Sequence, residues 1–146
     1  LVGSEMCIRD SRCLVNEPAV FQEAKEKGIT RSMAAVEYAA KVDGPKLFVF
    51  GNAPTSIFKV LDMVEEGSLQ PDAVVGVPVG FVGAAESKLK LHESSVPSIA
   101  ALGQKGGSTI AAAVVNAILY QLKLATTDYE RYSVSDKKQA PEKGEG

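Results

Sequence analysis

Tryptophan is absent from this 146-residue chain, histidine occurs once and cysteine twice. Cys7 and Cys13 are too few for a disulfide framework and share no metal-ligand spacing with His92, so no metal site is expected and the default compartment is the reducing cytoplasm. Five phenylalanines and four tyrosines leave few rings to stack on a flavin or a base. An excess of positive charge is missing too: a net charge of -2 offers no electrostatic footprint for a phosphate backbone, which argues against nucleic-acid partners. No apolar run approaches the roughly 18 residues that span a bilayer, so no membrane insertion is expected. The opening residues have neither the basic nor the apolar region of a secretory signal.

What is present fits one globular domain. Hydrophobic residues make up 45% of the chain and charged residues 23%, enough for a single core. Residues 1–12 resemble a translated adapter and are set aside as a non-native leader, so the domain is expected at 13–126. From 127 to 146 the apolar period is lost, and a stretch rich in Lys, Glu, Gly and Pro reads as a disordered tail. Between these lie two helices in a hairpin around Gly28, the first opened by Pro18 and the second capped by Thr30. Strands are then expected at Lys46 to Phe50, Ala73 to Val77 and Val96 to Leu102. Helices follow them at Pro54 to Glu66, with Ile57, Phe58, Leu61 and Val64 inward, at Gly83 to Glu93, and at Ser108 to Leu124. Strands alternating with helices predict an α/β fold with a parallel sheet, helices on both faces and a ligand site outside the carboxyl ends of the strands.

Those ends carry the chemistry. Gly51-Asn52-Ala53, Gly80 to Gly83 and Gly106-Gly107-Ser108 each join a strand to a helix. Glycine lets backbone approach a ligand closely, and the helix start offers unpaired N–H groups to a carboxylate or phosphate. Nucleotide motifs are missing, since Lys105 precedes Gly106-Gly107 where a phosphate loop would place it after the glycines. Arg31 sits at a helix start, where the dipole disfavours a cation, and so hints at a role other than stability. Glu86, one turn into its helix, is a candidate acceptor, and Asn52 a candidate ligand. His92 lies late in a helix, away from every glycine junction, and no Ser-His-Asp set can be assembled.

Gly28-Ile29-Thr30-Arg31-Ser32, Phe50-Gly51-Asn52-Ala53-Pro54-Thr55, the run from Gly76 to Lys88, and Lys105-Gly106-Gly107-Ser108-Thr109 stand in an order that resembles the precorrin-8X methylmutase family from about Cys13 to Leu124. The resemblance implies a flavodoxin-like, three-layer α/β/α fold with a mainly parallel sheet. It further implies an isomerase of cobalamin (corrin) biosynthesis that moves a methyl group from C-11 to C-12 of precorrin-8X or cobalt-precorrin-8. Hydrogenobyrinic or cobyrinic acid would be the product, with no methyl donor and no cofactor, and a homodimer would hold the tetrapyrrole at its interface. The substrate-binding positions carried onto this chain are Thr30, Arg31, Ser32, Asn52, Thr55, Gly80, Gly83, Glu86, Ser87, Lys105, Gly106, Gly107 and Ser108. In the family a histidine protonates the ring during a sigmatropic methyl shift. That histidine belongs to an N-terminal segment not found here, and His92 does not match its motif, so no catalytic residue is assigned and an N-terminally truncated domain is expected. A reading of another class stays open on the residues alone: a non-catalytic protein of the same fold that binds a corrinoid or another carboxylated ligand.

Overall fold

The computed structural model describes residues 11–126, so most of the expected leader and all of the expected tail lie outside the described residues. After a single 3-10 turn at Leu14–Asn16 come α1 (Pro18–Lys27) and α2 (Arg31–Ala40). Pro18 occupies the first turn of α1, where its missing N–H costs nothing, and Gly28 ends the helix in the left-handed conformation at φ 64. Thr30 caps α2, its hydroxyl accepting the Met33 N–H at 3.2 Å. The hairpin closes on a small cluster of Val20, Ala24, Ala34 and Ala35.

The remaining chain alternates as expected: β1 (Leu47–Phe50), α3 (Pro54–Glu65), β2 (Ala73–Gly76), α4 (Ala84–Glu93), β3 (Ser98–Ala100) and α5 (Ser108–Thr126). The strands form a parallel sheet in the order β1-β2-β3, with Val49 opposite Val75 and Val75 opposite Ile99. Successive strands are neighbours, so right-handed crossovers lay α3 and α4 on the same face. There Val74 packs with Ile57, Val60, Leu61 and Leu91 in the main core, flanked by Phe48 and Phe50. Val75 points the other way, with Val77, onto Ala111, Val114 and Ile118 of α5. Helices thus cover both faces, and β2 is buried on both sides, as its unbroken apolarity predicts. The α5 face is covered only in part, leaving Leu47, Val49 and Ile99 exposed.

Three expectations are corrected. β3 is shorter than Val96 to Leu102, because Pro97 has no N–H and contributes only its carbonyl, which accepts from Val74. α3 buries Ile57, Val60, Leu61 and Met63, while Phe58 and Val64 are only partly buried. Packed against the sheet and between α2 and α4, α3 has a wider buried arc than a one-face stripe describes. α5 runs two residues past Leu124. Among the described residues, no helix is long and apolar enough to cross a membrane.

Candidate functional site

Because the sheet is parallel, the loops after β1, β2 and β3 emerge at one edge, and backbone contacts bind them together. The Gly107 N–H donates to Val77 O at 2.7 Å and the Gly80 N–H to Gln104 O at 3.1 Å, which join the second and third loops. A Cβ on Gly106 would stand 2.1 Å from Val77 O, so only glycine fits there. A Cβ on Gly51 would stand 2.8 Å from Ser108 Cα, which sets the first loop against the start of α5. Gly83 in turn lies beside Pro54 and Phe58 of α3. The α1–α2 hairpin joins this edge through Thr30, whose hydroxyl oxygen is 3.4 Å from that of Thr55.

Four helix N-termini therefore meet: those of α2, α3, α4 and α5. Each carries a partial positive charge that ordinarily attracts Asp or Glu into the first turn. The first turns of α2, α3 and α5 hold no acidic residue, and only α4 has one, the exposed Glu86. Neither Ala53 nor Gly83 caps its helix with a side chain. The result is a cluster of backbone donors and positive potential suited to several carboxylates at once.

The expected site residues divide in two. Thr30, Arg31, Asn52, Thr55, Glu86, Lys105 and Ser108 are exposed on this edge, and Ser32 is half-buried beside Arg31. The Arg31 guanidinium lies 4.6 Å from the centre of the Phe21 ring, a cation–π contact that gives it a reason to sit at a helix start. Gly80 and Gly107 spend their N–H groups on the neighbouring loop, at Gln104 O and Val77 O. Both have positive φ, 145 and 124. Ser87 stands apart from these: it is fully buried, and its hydroxyl donates to Ala84 O at 3.1 Å within its own helix.

Sequence reasoning passed over two features. Val79, Phe81 and Val82 are exposed at the tip of the β2–α4 loop, Phe81 at 86% and Val82 at 91%. Their neighbours Gly80 and Gly83 were the only signal, marking a segment held out from the core. Lys88 is the second: it is fully buried and its ammonium donates to Lys105 O at 2.7 Å. Burial pushes its pKa down from the ordinary lysine value. The signal here was spacing, since Lys88 shares the inward stripe of Ala84, Ser87 and Leu91. His92 is exposed in the last turn of α4, at the opposite end of that helix from the loops.

Known proteins resemble this chain in sequence and in fold. Residues 5–121 match the family model described as precorrin-8X methylmutase, a match that begins within the segment set aside as a leader. The chain is 56% identical over 117 residues to the cobalt-precorrin-8 methylmutase of Salmonella typhimurium, covering 80% of this chain and 54% of that one. It is 44% identical over 111 residues to the protein of the same name from Methanocaldococcus jannaschii, with 76% and 53% covered. Among solved structures it is similar to the precorrin-8X methylmutase of Thermus thermophilus, at 37% identity and a TM-score of 0.68, over 80% of this chain and 56% of that chain. The chain spans about half the length of the curated relatives it matches. The ordered glycine junctions, the parallel sheet that gathers them and these matches agree: this chain belongs to the precorrin-8X methylmutase family.

Proposed function

We propose that the chain supplies one wall of the site of a cobalamin-biosynthesis isomerase, which moves a methyl group from C-11 to C-12 of precorrin-8X or cobalt-precorrin-8. The observation that carries this reading is the meeting of four helix N-termini, three of them without a first-turn carboxylate. A corrin precursor bears several acetate and propionate arms, and each arm can supply the negative charge that such a helix start lacks. Lys105, the Gly106 N–H and the first turn of α5 from Ser108 hold one arm. Thr30, Arg31, Ser32, Asn52 and Thr55 hold another, and Gly80 and Gly83 shape the loop between them. Glu86 is an acceptor on the same edge. A hydrogen bond to an ionised arm contributes about 1.5–3 kcal/mol, so each well-held arm strengthens binding by roughly 10- to 150-fold.

Methyl migration within one molecule needs no donor, and the residues above bind and orient the ring rather than react with it. The proton that assists the shift is assigned to no residue of this chain. Exposed Phe81 and Val82 offer apolar surface of the kind that a macrocycle face or a second subunit covers, which supports a homodimer with the ligand at its interface. A cytoplasmic location accords with the sparse cysteines. The test is an absorbance titration with hydrogenobyrinic acid: saturable binding is expected, and a folded protein that leaves the corrin spectrum unchanged contradicts the reading.

A further inference from the structure

Lys88 is hard to explain by stability. An ammonium taken out of water costs several kcal/mol unless well compensated, yet among the described residues Lys88 forms no ion pair and donates to one carbonyl, that of Lys105. An apolar residue would fill the same place on the inward stripe of α4, while the neighbouring Leu89 faces solvent at 49% exposure. The carbonyl it holds is what matters. In a trans peptide the C=O and the following N–H point in opposite directions. With Lys105 O drawn inward to Lys88, the Gly106 N–H is turned away from α4. The peptide before it is held independently, because Gln104 O accepts from the Gly80 N–H at 3.1 Å, and the residue after it is held by the bond from Gly107 N–H to Val77 O.

Resting on the proposed function, we propose that Lys88 is a positioning residue of the tetrapyrrole site: it fixes the Lys105–Gly106 peptide so that the Gly106 N–H is presented to a substrate carboxylate, and its buried charge favours that anion. Position and charge act together, since the cation lies one peptide unit behind the donor it orients. Nothing in this role requires Lys88 to touch the ligand.

The experiment compares the parent chain with Lys88→Met, which keeps shape and removes both donor and charge, and with Lys88→Gln, which keeps an N–H donor. Melting temperature, hydrogenobyrinic acid affinity and Gly107 amide exchange are measured for each. Lys88→Met removes the desolvation cost of a buried charge, which offsets the loss of its hydrogen bond to Lys105 O. Lys88→Met is therefore expected to melt at or above the parent temperature, to bind the corrin about 10- to 100-fold more weakly, and to exchange the Gly107 amide faster. Lys88→Gln is expected to recover part of the affinity. Unchanged affinity and exchange in Lys88→Met overturn the proposal, as does a parallel loss of melting temperature and affinity in both variants, which marks a purely structural lysine. If the parent itself does not bind the corrin, the functional reading fails, and amide exchange alone decides the role of Lys88: faster in Lys88→Met supports the tether, unchanged refutes it.

Discussion

Replacing Gly106 with alanine tests the joint between the second and third loops. The new Cβ would lie 2.1 Å from Val77 O and 2.8 Å from Pro78 O, both backbone atoms that cannot swing aside as a side-chain end would. Relieving the clash must separate the loops, and the 2.7 Å bond from Gly107 N–H to Val77 O is the first to go. Overpacking costs about 1–3 kcal/mol and a lost hydrogen bond about 0.5–1.5 kcal/mol, so the expected loss is about 2–4 kcal/mol. For a domain of this size that is a fall in melting temperature of roughly 8–16 °C. Gly28→Ala is the control, because Gly28 has left-handed φ but open space around it; strain alone costs about 1 kcal/mol there. Thermal melts followed by circular dichroism separate the two. If Gly106→Ala melts no lower than Gly28→Ala, the loops are not clamped as described.

Two further outcomes are expected. Phe81→Ser should leave the melting temperature within about 2 °C of the parent, because the ring is almost fully exposed. If that ring is covered on ligand binding or dimerisation, the same change weakens the affected equilibrium about 10- to 100-fold, read by corrin titration and by sedimentation velocity. Glu37 bonds to Lys27 and Lys59, which hold its carboxyl below the ordinary value of 4.5. A carboxylate whose folded pKa is depressed contributes stability that is complete above its unfolded pKa and is lost as pH falls through the folded one. The melting temperature of the parent should therefore drop more steeply than that of Glu37→Gln below about pH 4.5, and equal slopes refute the coupling.

Much of the architecture could be read from local chemistry. Pro18, Gly28 and Thr30 bound their helices where the chain needs a missing donor, a left-handed residue and a cap, and all three act locally. The unbroken Ala73-Val74-Val75 run marked a strand buried on both faces. Helical spacing tells which side chains share a face but not which face turns inward, so the burial of Ser87 and Lys88 was not legible from their positions alone. Both lie on the Ala84–Leu91 stripe, where packing against the sheet rather than their polarity decides their burial. The reverse holds for Phe81 and Val82, apolar residues that composition alone would assign to a core but that glycine-bounded loop geometry holds in solvent. The meeting of Thr30 with Thr55 depends on how the hairpin packs on α3, a contact across 25 residues that no local pattern encodes.

The central claim is that one edge of the sheet, where four helix N-termini meet, binds the carboxylated arms of a corrin. Amide hydrogen exchange with and without saturating hydrogenobyrinic acid measures this residue by residue. The account predicts protection concentrated at Arg31–Ser32, Asn52–Thr55 and Gly106–Ser108, with the opposite edge around Lys46 and His92 unchanged. Protection at that opposite edge, or bound corrin with no protection at these loops, would contradict it.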